Sequence, residues 1–114
     1  MTEDSLLELL ESGDFDYVSV DEIGFVADVP GFRRQSKEAA LAAMEELFRS
    51  GLMEPGDISG SGFVVWPGGA EAWVVRARAE LSQLPWMPHS AGFWMNLTER
   101  GAERLAELRG KREG

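Results

Sequence analysis

Residues 35–66 read QSKEAALAAMEELFRSGLMEPGDISGSGFVVW. They divide into a helix, a glycine stop and a short two-stranded hairpin, and the rest of the chain is arranged around them. Ser36 stands where a side-chain oxygen caps a helix, Glu38 and the alanines after it are strong helix formers, and Gly51 supplies the left-handed residue that ends one. Ala40, Leu41, Met44, Leu47 and Phe48 recur at steps of three and four, while Lys37, Glu38, Glu45, Glu46 and Arg49 fill the opposite arc. One face therefore packs and the other meets solvent. After Gly51, Leu52, Met53 and Ile58 surround a turn signal at Glu54-Pro55-Gly56-Asp57. A second follows at Gly60-Ser61-Gly62, and Phe63-Val64-Val65-Trp66 is a β-prone run closed by Pro67.

Working outward, Ser5 to Ser12 is a first helix carrying Leu6, Leu7, Leu9 and Leu10, with Gly13 as its stop. Val18-Ser19-Val20 is a brief strand or the approach to the next element, and Asp21 to Asp28, with Ile23, Phe25 and Val26, reads as a second helix with a strand as its rival. Pro67-Gly68-Gly69 precedes an amphipathic helix from Ala70 to Leu84, and Pro85 to Ser90 is irregular. Phe93 to Leu97 alternates, with Trp94 out of phase with Phe93 and Met95. Thr98 caps a last helix in which Ala102, Leu105, Ala106 and Leu108 turn inward, leaving Arg109 to Gly114 as a loose tail.

The fold class expected is α+β in a single domain over 1–114, with 1–4 and 110–114 frayed. Helices are placed near 5–12, 21–28, 36–50, 70–84 and 98–109, about five in all. A small antiparallel sheet of two or three strands comes from 52–58, 62–66 and 93–97.

Composition narrows the function classes. The hydrophobic share is 44% and the charged share 27%, values of a folded chain rather than a disordered one. With no cysteine there is no disulfide framework, thiolate metal site or cysteine nucleophile. No run approaches the ~18 apolar residues of a membrane span, and the N-terminus is acidic where a secretory signal is basic, so the expectation is a cytoplasmic protein without membrane contact.

The net charge of −9 is unevenly placed. The first 32 residues hold nine acids (Glu3, Asp4, Glu8, Glu11, Asp14, Asp16, Asp21, Glu22, Asp28) and no lysine or arginine, while the remaining 82 balance eleven acids with eleven bases. Such an end repels phosphate and favours a basic partner.

Two segments resemble winged-helix bacterial regulators. Ala40-Leu41 through Glu46-Leu47 with Gly51-Leu52 is similar to the recognition helix and its exit, and Asn96-Leu97-Thr98-Glu99-Arg100-Gly101 resembles the LT-x-x-G junction by which a wing strand enters a helix in MarR-like and PadR-like proteins. Most of the chain also resembles small actinobacterial proteins that share its order of glycine-leucine exit, Gly-Asp turn, Gly-Phe-Val-x-Trp strand and tryptophan-containing helix. The resemblance implies a winged-helix-like fold and no known activity.

No constellation of catalytic, metal or cofactor residues emerges. His89 is the only histidine and has no acid near it in sequence. Gly56, Gly60 and Gly62 lack the lysine and following helix of a phosphate loop. The expectation is therefore a non-catalytic, acidic protein-interaction module, of immunity or anti-type character, with no cofactor. It meets a basic protein through Glu8, Glu11, Asp14 and Asp16, with Trp86 or Trp94 as an anchor. The alternative is a DNA-binding regulator that reads through helix 36–50 and wing 52–66, with Arg33, Arg34, Ser36 and Lys37 at the groove-facing helix start. A small-molecule site among the tryptophans is the third reading.

Overall fold

The computed structural model describes residues 2–20, 22–23, 37–83 and 93–113. The expected helix over 21–28, apart from Glu22 and Ile23, lies outside the described residues, as do Arg33, Arg34, Ser36, Trp86 and His89. In chain order the elements are α1 (Glu3–Phe15), β1 (Val18–Ser19), α2 (Lys37–Arg49), β2 (Met53–Ser59), β3 (Gly62–Val65), α3 (Ala70–Ser82), β4 (Trp94–Leu97) and α4 (Glu99–Glu113). The fold is α+β. Four helices stand among the described residues, and the sheet has four antiparallel strands in the order β1-β4-β2-β3 rather than two or three. The additional strand is Val18–Ser19, which pairs Val18 with Met95 and Ser19 with Trp94.

Alternation along the strands separates two faces. Val18, Met53, Pro55, Trp66 and Met95 point inward and are buried in one core with Leu9, Leu10, Met44, Leu47, Leu81 and Leu105 from the four helices. The opposite face carries Tyr17, Glu54, Ile58, Phe63, Val65, Trp94 and Asn96, as the pairings of Gly56 with Trp94 and Val65, and of Ile58 with Phe63, require.

Several boundaries move for identifiable reasons. The first helix passes through Gly13 to Phe15, capped by the Thr2 side chain, which accepts from the Ser5 N–H at 3.1 Å. Gly13 serves close packing rather than termination: a Cβ there would lie 2.8 Å from Met53 Cε and 3.3 Å from Leu97 Cβ. The Glu54-Pro55-Gly56-Asp57 turn signal is overridden, since all four residues lie inside β2, and the hairpin turns at Gly60-Ser61. Pro55 accepts the Trp66 N–H at 3.0 Å, and the Trp66 carbonyl, which a proline cannot serve in return, takes the Trp73 indole N–H at 3.0 Å. Gly56 gives room to the Phe63 ring, whose Cζ would be 2.7 Å from a Cβ at that position.

The last helix does not end near 109. It runs to Glu113, and on the way Lys111 Nζ meets Glu3 at 3.1 Å while Arg109 lies 3.9 Å from both Glu11 and Asp14. Ala102 and Ala106 are exposed rather than inward; Gly101, Leu105 and Leu108 form the packed stripe. The Gly51 stop stands as expected, at φ +76°. So does the Thr98 cap, whose oxygen accepts the Gly101 N–H at 3.0 Å while its hydroxyl faces the Gly51 and Leu52 carbonyls. Gly101 belongs to the same junction, because a Cβ there would stand 2.2 Å from the Leu52 carbonyl oxygen.

Candidate interaction surfaces

The buried leucines of α1 fix which side of the helix faces out. With Leu7, Leu9 and Leu10 in the core, Glu3, Asp4, Glu8, Glu11 and Asp14 are exposed on the helix and Asp16 just beyond it. All four residues expected to meet a partner, Glu8, Glu11, Asp14 and Asp16, are thus on the surface. Their charges are partly answered from within: Arg109 stands between Glu11 and Asp14, and Lys111 pairs with Glu3. The Asp16 carboxylate accepts the Tyr17 N–H at 2.7 Å, while Glu8 has no ion pair among the described residues. Among the described side chains, two cations against six carboxylates leave this surface negative. Ion pairs so exposed are weak, and a partner's cations displace them at little cost.

Beyond Asp16 the chain turns onto the outer face of the sheet. Phe15 is 93% exposed, and Tyr17 stacks on Phe63 with centroids 4.8 Å apart and planes at 17°. The stack lies over Gly56, beside half-buried Trp94 and exposed Ile58 and Val65. Trp94 therefore sits where its phase places it, on the side away from Phe93 and Met95, which are buried. Exposed Phe15 and Tyr17 and half-buried Phe63 carry no local pattern that marks them as a surface cluster. Alternation in the Phe63 run gives a phase but not the stack. Asp16, Glu54 and Asp57 are the charges of segments 16–19, 53–65 and 94–97, which contain no lysine or arginine.

Two of the four tryptophans hold the fold together. Trp66 is buried, packs against Phe93 at 4.7 Å, and donates its indole N–H to Asp57 at 3.2 Å. The Arg76 guanidinium covers its ring at 4.0 Å and lies 3.6 Å from Asp57. Trp73, half-buried, meets Phe48 edge-on at 5.8 Å.

Helix α2, the reading helix of the DNA alternative, buries Ala40, Leu41, Ala43, Met44, Leu47 and Phe48. Its exposed side chains among the described residues are Glu38, Ala42, Glu46 and Arg49. Arg49 is engaged by Glu45 and makes a two-pronged bond to Glu71, Nε at 2.8 Å and a terminal nitrogen at 3.0 Å. That bond holds the Glu71 carboxyl below its ordinary value and raises Arg49 above its own. Of the four DNA-facing candidates, only the Lys37 backbone, at the start of α2, falls within the described residues.

An open cleft of about 830 Å³ lies beside the α4 start, with Ser50, Arg100, Glu103, Arg104 and Glu107 among its lining. Its charges alternate in sign, and Arg104 is held by Glu107 at 2.9 Å, so it selects neither anion nor cation. Among the described residues no group of three His, Asp or Glu converges as metal ligands do, and no helix is long and apolar enough to cross a membrane. No family model, curated protein or solved structure matches this chain.

Proposed function

We propose that this chain is a non-catalytic interaction module on a winged-helix scaffold, and that its acidic first helix receives a basic protein partner. The observation that carries the reading is the α1 surface, where six exposed carboxylates face two cations among the described side chains. A surface of one sign steers an oppositely charged partner and speeds its encounter. Phe15 and Tyr17, which continue this surface onto the sheet, offer apolar contact beside the charge. An immunity or anti-type role, in which the module covers a basic partner, follows from the same chemistry.

The winged-helix reading draws support from the strand order. The strand that enters a helix through Thr98 and Gly101 is β4, which lies between β1 and β2. The expected wing 52–66 covers β2 and β3, whereas the strands paired as a wing in this order are β2 and β4, which β3 and α3 separate in sequence but not in the sheet. The inserted helix packs on α2 through Trp73 on Phe48 and Glu71 on Arg49. DNA reading gains little from the described residues, since the exposed charges of α2 among them are Glu38, Glu46 and an Arg49 already bonded to Glu71, and residues 53–65 carry no base.

Zero-length carbodiimide coupling tests the proposal, because it joins carboxylates only to lysines in contact with them. In lysate, the tagged chain is expected to couple Glu8, Glu11, Asp14 or Asp16 to lysines of one recurring protein. Coupling confined to other carboxylates, or gel retardation of random duplex DNA at low salt, would overturn it.

A further inference from the structure

Residues 58–70, ISGSGFVVWPGGA, contain no charged side chain in a chain of net charge −9, and β3 lies at the centre of this stretch. Among the described residues it is also a terminal strand of the sheet, paired to β2 on one side only. Proteins commonly blunt such an edge with lysine, proline or a bulge. From Gly62 to Val65 this one has none of them, and Val64 is 54% exposed.

The hydrogen-bond phase shows which groups the edge presents. Trp66 N–H donates to Pro55, so that pair is in the hydrogen-bonded phase, and alternation puts Asp57 with Val64 and Ser59 with Gly62 in the same phase. Phe63 and Val65 therefore direct their N–H and C=O groups away from β2, toward the open edge.

From this geometry we propose that two copies of the chain pair antiparallel through β3, with the symmetry axis at Val64. In that register Phe63 of one copy faces Val65 of the other, and the two residues exchange both bonds. The mirror pair does the same, so every outward backbone group of the strand is satisfied. Val64 then meets its own copy in the non-hydrogen-bonded phase, where side chains come closest.

Charge supports a second copy as the occupant. The excess negative charge lies in the first 32 residues, where two copies repel, and the charge-free edge lets them approach without apposing carboxylates. A four-residue edge buries little area, which makes the pairing weak and concentration-dependent. The inference does not rest on the α1 surface, which lies on other elements.

The absence of native cysteine makes the test direct. Cα atoms in a non-hydrogen-bonded pair lie about 4.5 Å apart, within disulfide range. Under mild oxidation Val64→Cys is expected to form a disulfide-linked dimer at least ~10-fold faster than Val75→Cys, an exposed helical control. The unsubstituted chain should show reversible self-association by sedimentation equilibrium at high concentration, and Val64→Lys should abolish it. Equal coupling rates for the two cysteine variants, or a monomer at all concentrations, would overturn the proposal.

Discussion

The indole N–H of Trp73 donates to the Trp66 carbonyl at 3.0 Å and takes the place of the N–H that Pro55 lacks. A proline in an interior strand leaves one carbonyl of its neighbour unserved, and an unserved buried acceptor costs about 1–3 kcal/mol. The helix α3 thus completes the ladder between β2 and β3. Trp73→Phe keeps the ring against Phe48 and removes the donor, so it is expected to destabilise by about 1–3 kcal/mol in urea unfolding. Pro55→Ala restores a backbone donor, and in the double variant it should recover roughly 1 kcal/mol of the loss. Strictly additive effects would show that the two residues do not share the acceptor.

At the β4–α4 junction, Gly101→Ala places a Cβ against the Leu52 carbonyl and is expected to cost about 2–3 kcal/mol. Thr98→Val removes the cap and should cost about 1–2 kcal/mol. Calorimetry checks both, with a Tm fall on the order of 10 °C for the glycine substitution. Unchanged melting of Gly101→Ala would mean that the junction is looser than its contacts indicate.

Local chemistry made much of this fold legible. The stripe in 37–49, the Gly51 stop and the Thr98 cap act within one or two turns of chain, and each lies where its residues put it. What stayed hidden depends on partners distant in sequence. Pro55-Gly56 reads as a turn until Trp73 supplies a donor and Phe63 takes the space above the glycine. Arg109 and Lys111 read as a loose tail until they reach the acids of α1. No local pattern places β4 between β1 and β2, because that pairing joins residues about 40 and 80 positions away. The acidic surface was legible from charge placement alone, whereas the Tyr17–Phe63 stack was not.

Gly56→Ala should displace the Phe63 ring and open that stack. The expected readout is loss of the ring-current shift on the Tyr17 ring protons in NMR, with destabilisation of about 1–3 kcal/mol. A retained shift would place the stack independent of Gly56.

The Arg49–Glu71 bond carries a pH signature. Because the folded state holds the Glu71 carboxyl below its ordinary value, its contribution is present above the ordinary carboxylate range and is lost as pH falls through the folded value. Arg49 is shifted upward, so its own titration leaves the window below its ordinary value untouched. Both groups are exposed, so the effect is small and shrinks with salt. Urea midpoints of wild type and Glu71→Gln should differ at neutral pH and converge in acid. A difference that grows in acid would reverse the assignment.

The central claim is that the α1 carboxylates hold a basic partner, and it is tested most directly by the dissociation constant of the purified complex as a function of salt. Wild type should weaken steadily as salt rises. The variant Glu8→Lys, Glu11→Lys, Asp14→Lys, Asp16→Lys should bind at least ~100-fold more weakly at low salt, with its circular dichroism spectrum unchanged. Equal affinity of the two proteins at every salt concentration would contradict the account.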